Sequence, residues 1–405
     1  MTKKKHIQIL LFIMIINSVI ESLLMSFENR SIIILIQYIS NLVYIVPVVF
    51  LTKRKKTKHR IITLTLFFIA YLFGLSIFSS NLILSGTYLI KFIIPLLYFI
   101  VGIQLFKKEI EIDFFIRHLW ILLAYFCVYI SISNIFDIGD SLYRNGLKVG
   151  YYSINGLYIP CVCFVIILFN LKKQWSKQLR ILNIALLVFT FLIFLILLKR
   201  TIIILFLLSI AAYIYQRRLF LKIGVIGIVI ISFSLLFLQN DINNFELNVR
   251  NGRFSKNYNV LNEGRFTENQ HLISYIAKSK FSLVFGTGEV FNDKKFTSQF
   301  YEKEREAHNS FIRILWSSGL LGLILFLSFY YLQFKLIRKY FRYYKRNKIR
   351  SLTNFLFFIQ FLIAFRLIND FSSGITYLGY NSISYLLIGG AINIGKNQIN
   401  NTLQK

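Results

Sequence analysis

The sequence predicts an all-α integral membrane protein of about 12 transmembrane helices with one large polar loop, and three observations carry that prediction. Apolar residues make up 56% of the chain and recur in runs along its whole length. Lys and Arg number 47 against 17 Asp and Glu, a formal net charge of +30, and they cluster between those runs. From 239 to 308 lies a stretch of about 70 residues that carries both signs of charge and holds no span-length apolar run. A soluble core requires no such apolar surplus, so the solvent for most of the chain is lipid. An excess of cations in a soluble protein points to nucleic acid. At the ends of apolar runs it is instead the bias that orients membrane helices and meets anionic headgroups, and no nucleic-acid partner is expected.

Taken in order, runs of roughly 17–25 apolar residues place spans near 7–27, 31–51, 61–80, 82–106, 114–136 and 153–171. Six more follow near 180–198, 201–216, 221–239, 309–334, 352–370 and 375–394. Lys3 to Lys5 ahead of the first run imitates a secretion signal, but the run from Ile7 to Phe27 is too long and lacks a small-residue cleavage site, so it reads as the first span. The run at 201–216 is short, yet the charges flanking it argue for a span. Pro47, Pro95 and Pro160 read as tolerated kinks. Cys127, Cys161 and Cys163 lie in apolar stretches and read as small buried hydrophobes, with no disulfide framework and no metal site.

Positive clusters at Lys3–Lys5, Lys53–Arg60, Lys107 and Lys108, Lys172–Arg180, Arg217–Lys222 and Lys335–Arg350 fall in alternate connections. Both termini are then expected in the cytoplasm and the long loop outside. The chain divides into residues 1–238 with nine spans, the extracytoplasmic loop 239–308, and residues 309–405 with three spans and a cytoplasmic tail. Inside the loop, Arg265 opens an amphipathic stretch reaching about Lys280, with Thr267 and Gln270 at capping-box spacing and Leu272, Ile273, Ile276 and Ala277 on one helical face. A short helix lying on the outer membrane surface is expected. Gly286-Thr287-Gly288 follows and reads as a turn, because it lacks the strand-to-helix setting of a dinucleotide site.

Charges within or just beneath a membrane surface are costly, so each is a candidate site. Lys199 and Arg200 make a cationic corner where the seventh span meets the eighth, read either as snorkelling side chains or as a fork for phosphate oxygens. His308 and Asn309 open the tenth span; a histidine there is an ordinary interfacial residue, a general base, or a donor to an anion. Arg313 stands one turn further in. Arg366 and Asp370 have the four-residue spacing of a helical ion pair, structural or a further contact for substrate. Lys91 lies about nine residues into the fourth span and Glu21 at comparable depth in the first, positions from which they can pair in the bundle or serve a ligand. Gly319 and Gly322 read as close helix packing. The outer loop has no Asp-x-Asp pair to hold a divalent cation. The alternating acids at Glu302, Glu304 and Glu306 read as a solvated, self-compensating run, one of whose carboxylates can orient His308.

Three segments together resemble a known family. Arg200-Thr201 before an apolar run, Gly264-Arg265 followed by Gly286-Thr287-Gly288, and His308-Asn309-Ser310-Phe311 running into Gly319-Leu320-Leu321-Gly322 resemble the O-antigen ligase and polymerase superfamily in order and placement. The resemblance extends from roughly Leu179 to Leu332. Where the family commonly carries a tryptophan after the loop arginine this chain has His271, and where it carries a proline before the Gly-x-Gly turn it has Ser279 and Lys280. Members move glycans from an undecaprenyl diphosphate carrier, so the resemblance implies a GT-C-like glycosyltransferase of the bacterial cytoplasmic membrane, without metal or other cofactor. It implies Arg200 and Arg265 as diphosphate clamps and His308 as base or phosphate ligand; Lys199, Asn309, Arg313, Arg366 and Lys91, read from their positions in the spans, are the candidate supporting contacts for substrate. The implied partners are the lipid-linked oligosaccharide donor and acceptor, membrane lipids, a chain-length regulator and a flippase. The leading reading is a polymerase of oligosaccharide repeat units. The alternatives are a ligase of finished glycan and, from another class, a flippase or exporter, which would be expected to show repeated halves.

Overall fold

A computed structural model describes residues 3–23, 30–51, 60–139, 148–152, 156–171, 175–196, 200–217, 264–289, 309–372 and 378–403. Before the loop, the helices are α1 (Lys3–Leu23), α2 (Arg30–Leu51), α3 (Arg60–Ser76), α4 (Leu82–Leu105), α5 (Glu109–His118), α6 (Trp120–Ile135), α7 (Tyr158–Asn170), α8 (Lys177–Ile196) and α9 (Arg200–Arg217). The loop contributes α10 (Gly264–Ala277) and α11 (Lys280–Phe285), and α12 (Ser310–Arg346), α13 (Arg350–Ser372) and α14 (Leu378–Leu403) follow. Among the described residues, seven helices are long and apolar enough to cross a membrane, and three shorter apolar ones accompany them. Among the described residues the regular elements are all helices, the architecture of a multi-pass membrane protein. The ninth expected span, 221–239, lies outside the described residues, as do Lys199, His308 and the loop on either side of 264–289.

Helix ends depart from the hydropathy reading where polar chemistry sets them. The fifth span starts at Glu109, not 114, because the Glu111 carboxylate accepts the backbone N–H groups of Lys107 (2.5 Å) and Lys108 (3.0 Å), supplying partners for helix-start donors. It is then interrupted at Leu119, giving α5 and α6. The tenth span continues as helix to Arg346, well past the expected 334.

The last span is the most informative departure. α14 falls outside the helices apolar enough to count as crossing, yet every residue from Leu378 to Gly395 is buried. A helix enclosed by other helices faces no lipid, so it can carry Asn381, Ser382, Ser384 and Asn393 without exposing them to hydrocarbon. It packs against α4, the most buried of the long spans, at near backbone contact. A Cβ at Gly102 would lie 2.1 Å from the Leu386 carbonyl oxygen, and one at Gly389 would lie 2.2 Å from that of Phe99. Only glycine permits that approach. Gly102→Val is therefore expected to cost about 1–3 kcal/mol, read as a lower unfolding midpoint in detergent; an unchanged midpoint would show that the two helices slide apart freely.

Polar pairs hold the first spans to this centre. Asn17 and Asn41 exchange amide hydrogen bonds (3.2 and 2.9 Å), and the Tyr98 hydroxyl donates to the Asn41 oxygen at 2.7 Å. Cys127, Cys161 and Cys163 are buried and form no disulfide, as read from sequence.

Candidate functional site

The described part of the loop docks on the bundle first through an apolar seam with α12. Leu272 and Ile276 of α10 are fully buried against Trp316 of α12, and Tyr275 lies beside the same indole with ring centroids 5.3 Å apart. Ile273 and Ala277, expected on that face, are exposed. The helix starts at Gly264, so Thr267 lies inside it instead of capping it. α10 thus docks on another helix, where the amphipathic pattern alone suggested a membrane surface. The stretch breaks at Ser279, whose hydroxyl accepts the Ser282 N–H and caps α11; the residue standing where the family has proline starts a new helix.

The Gly-x-Gly turn then meets a break in α12. Gly286 and Gly288 adopt φ of 83° and 76°, as a turn demands. Gly319 has φ 63° and ψ −167°, so α12 is interrupted there. Gly286 and Gly319 fill space no side chain could share: a Cβ on Gly286 would lie 2.4 Å from the Ser318 nitrogen, and one on Gly319 would lie 2.3 Å from the Val284 carbonyl oxygen. Breaking a helix frees carbonyls that hydrocarbon cannot satisfy, and neighbours supply the donors. Thr287 donates to the Trp316 carbonyl through its N–H (2.9 Å) and hydroxyl (3.0 Å), and the Tyr71 hydroxyl donates to the Ser318 carbonyl at 2.9 Å.

Just beyond, Glu289 accepts from the Ser79 hydroxyl (2.7 Å) and the Ser80 N–H (2.8 Å), tying the loop to the α3–α4 connection. Hydrogen bonds to a charged acceptor contribute about 1.5–3 kcal/mol each. Glu289→Ala is accordingly expected to speed hydrogen exchange through residues 280–289 by at least tenfold, while exchange in α4 is unchanged; equal rates would remove Glu289 from the anchoring.

The docked loop end of the bundle collects cations. Asn309 caps α12, its side-chain oxygen accepting the N–H groups of Phe311 (2.9 Å) and Ile312 (3.4 Å). One turn further, the Arg313 guanidinium is 1% exposed and lies 5.6 Å from the centroid of the Tyr88 ring. Lys91, one turn after Tyr88 on α4, places its Nζ 5.5 Å from the same centroid. The two cations are therefore separated by no more than the sum of those distances. Glu21 is held elsewhere, by Gln37 at 3.4 Å.

A second buried charge group lies between α12, α13 and α14. Arg366 and Asp370 form the ion pair their spacing predicts, at 3.7 Å, and are 1% and 0% exposed. Tyr330 donates to Asp370 Oδ2, and the guanidinium carbon sits 3.4 Å from the Tyr385 ring centroid. α9 runs antiparallel to α13, with Gln216 donating to the Asn354 carbonyl at 2.8 Å and Tyr215 stacked on Phe357.

Of the residues singled out from sequence, the structure brings Arg313 and Lys91 together around Tyr88, gives Asn309 a capping role, and buries Arg366 in an ion pair. Arg200 and Arg265 open α9 and α10. Sequence reasoning missed Tyr88, Glu289, Tyr330 and Tyr385. The sequence held one partial signal for them: the aromatic residues recur one turn from a cation in Tyr88–Lys91, but nothing local marks Glu289.

A comparison with curated proteins finds no match. Residues 184–327 match the model of the O-antigen ligase family, an interval that contains α9, the docked loop, the α12 break and Arg313, and excludes Lys91 and Arg366. That interval, 144 of the chain's 405 residues, agrees with the resemblance to the O-antigen ligase and polymerase superfamily over most of the segment that carries it.

Proposed function

We propose that the protein polymerises oligosaccharide repeat units carried on undecaprenyl diphosphate, at the outer face of the bacterial cytoplasmic membrane. The observation that supports this reading most is the pair of cations, Arg313 and Lys91, held around Tyr88 at the end of the bundle where the loop docks. A hydroxyl of the incoming unit attacks C1 of the growing chain from the side opposite the diphosphate. The C1–oxygen bond breaks, its electron pair leaves on the diphosphate oxygen, and the configuration at C1 inverts. The hydroxyl proton passes to a base, assigned to His308. Charge develops on the leaving oxygen, and fixed guanidinium groups stabilise it without reorganising. Arg200 and Arg265 take that role in the proposal, with Lys199, Arg313, Lys91, Arg366 and Asn309 as supporting contacts or positioning residues and no metal required. A chain-length regulator and a flippase are the partners such a reaction needs beside its two lipid-linked substrates.

In cells, Arg200→Ala and Arg265→Ala are expected to abolish long polymer while single repeat units persist on the carrier; unchanged chain length in both variants would refute the assignment. The family description favours one second reading, a ligase that passes finished glycan to a terminal acceptor. That reading predicts full-length chains accumulating on the carrier. Purified protein given lipid-linked repeat units and a chelator separates the polymerase from an exporter, which yields no polymer.

A further inference from the structure

The end of α12 opposite the docked loop carries a groove of about 660 Å³. Its walls are one stripe of α12 together with Ile399 of α14. Read along the helix, the exposed side chains of that stripe change in a fixed order. Leu320, Ile324 and Leu327 come first, then the aromatic Tyr331 and Phe334, then Lys335, Arg338, Lys339, Arg342 and Arg346. The opposite face, through Ile337, Tyr340 and Tyr344, is buried, and the Tyr344 hydroxyl donates to the Gly395 carbonyl at 2.9 Å, fixing α12 against α14.

Apolar, aromatic, basic is the order of a bilayer from hydrocarbon through interface to headgroup. The lengths agree. After the break at Gly319, α12 runs from Leu320 to Arg346, 27 residues or about 40 Å, more than the about 30 Å and 20 residues of a hydrocarbon core, so its basic end lies beyond the hydrocarbon. The basic stretch beyond has no internal compensation. From Lys335 to Arg350 there are eight Lys and Arg and no acidic residue, and among the described residues no carboxylate lies within ion-pair distance of the groove's cations. A cavity floored by aromatic rings, walled by guanidinium groups and continuous with the lipid-facing stripe fits an amphiphile with an anionic head.

We infer that this groove is a binding site for an anionic phospholipid of the adjoining leaflet, the cytoplasmic one by the charge bias. The phosphate lies among Arg338, Lys339 and Arg342, and the acyl chains run along Phe334 and Tyr331 toward Leu327. Guanidinium groups take phosphate oxygens in pairs, and each basic residue near such a surface contributes about fivefold in affinity.

The test uses the full-length protein in detergent, titrated with phosphatidylglycerol, phosphatidylcholine or inorganic phosphate and read by native mass spectrometry. Phosphatidylglycerol is expected to bind the wild-type chain and phosphatidylcholine to bind far more weakly. The triple variant Arg338→Gln, Lys339→Gln, Arg342→Gln should lose on the order of a hundredfold in affinity and Arg342→Gln alone about fivefold. All three side chains are exposed, and circular dichroism checks that the variants keep their helices. Lys177→Gln with Arg180→Gln, cations on α8, should bind as the wild type does. Equal binding by the triple variant, equal binding of phosphatidylcholine, or inorganic phosphate binding as tightly as the lipid would each overturn the assignment.

Discussion

Asp370→Ala is expected to remove about 3–5 kcal/mol of stability, the cost of leaving a buried charge without its partner. The magnitude follows from where Arg366 sits. Its guanidinium is 1% exposed and its Nε and Nη1 have no hydrogen-bond partner among the described residues, so once the carboxylate is gone only the Tyr385 and Tyr330 ring faces remain to balance the charge. Water cannot replace the loss without opening the contacts between α12, α13 and α14. The pair itself contributes far less than its breakage costs, because assembling it also desolvated two charges. Replacing both members, Arg366→Met with Asp370→Leu, is therefore expected to recover most of the loss. Unfolding midpoints in detergent for the single and double variants check both statements. A single variant as stable as the parent would show that the charges are solvated in the membrane, contrary to their burial. The double variant also separates roles: retained stability with lost polymer would assign Arg366 to substrate, whereas retained polymer would make it structural.

The second large effect is expected at the α12 break. Gly319→Ala places a methyl group 2.3 Å from a backbone oxygen in a conformation L residues avoid, and the strain is on the order of 1–3 kcal/mol before any neighbour moves. Because the clash is with backbone of the α11 turn, relief requires the loop to lift off. The expected result is hydrogen exchange through residues 264–289 faster by at least tenfold, and loss of activity, with the transmembrane helices retained. Gly86→Ala is the control. Its new methyl would meet nothing within 4 Å, so the cost is small. Equal effects at the two positions would mean that the break in α12 does not hold the loop.

The amino-acid sequence by itself determined the class of the protein, because hydropathy is a property of each run and needs no partner. It also determined features whose cause lies within a turn or two of chain: the Arg366–Asp370 pairing, the Gly286-Thr287-Gly288 turn and the burial of three cysteines in apolar runs. It placed α14 among the spans but not at their centre, since burial by protein and burial by lipid leave similar apolar patterns. What only the tertiary structure decided is everything made by residues distant in sequence. Lys91 and Arg313 meet over Tyr88 because α4 and α12 pack together; Glu289 finds Ser79 across 210 positions; and the amphipathic face of α10 covers Trp316 instead of a membrane. A cation or an apolar stripe states in sequence that it requires a partner, and the physical reason the rest was unreadable is that many partners satisfy that requirement equally until the chain has packed.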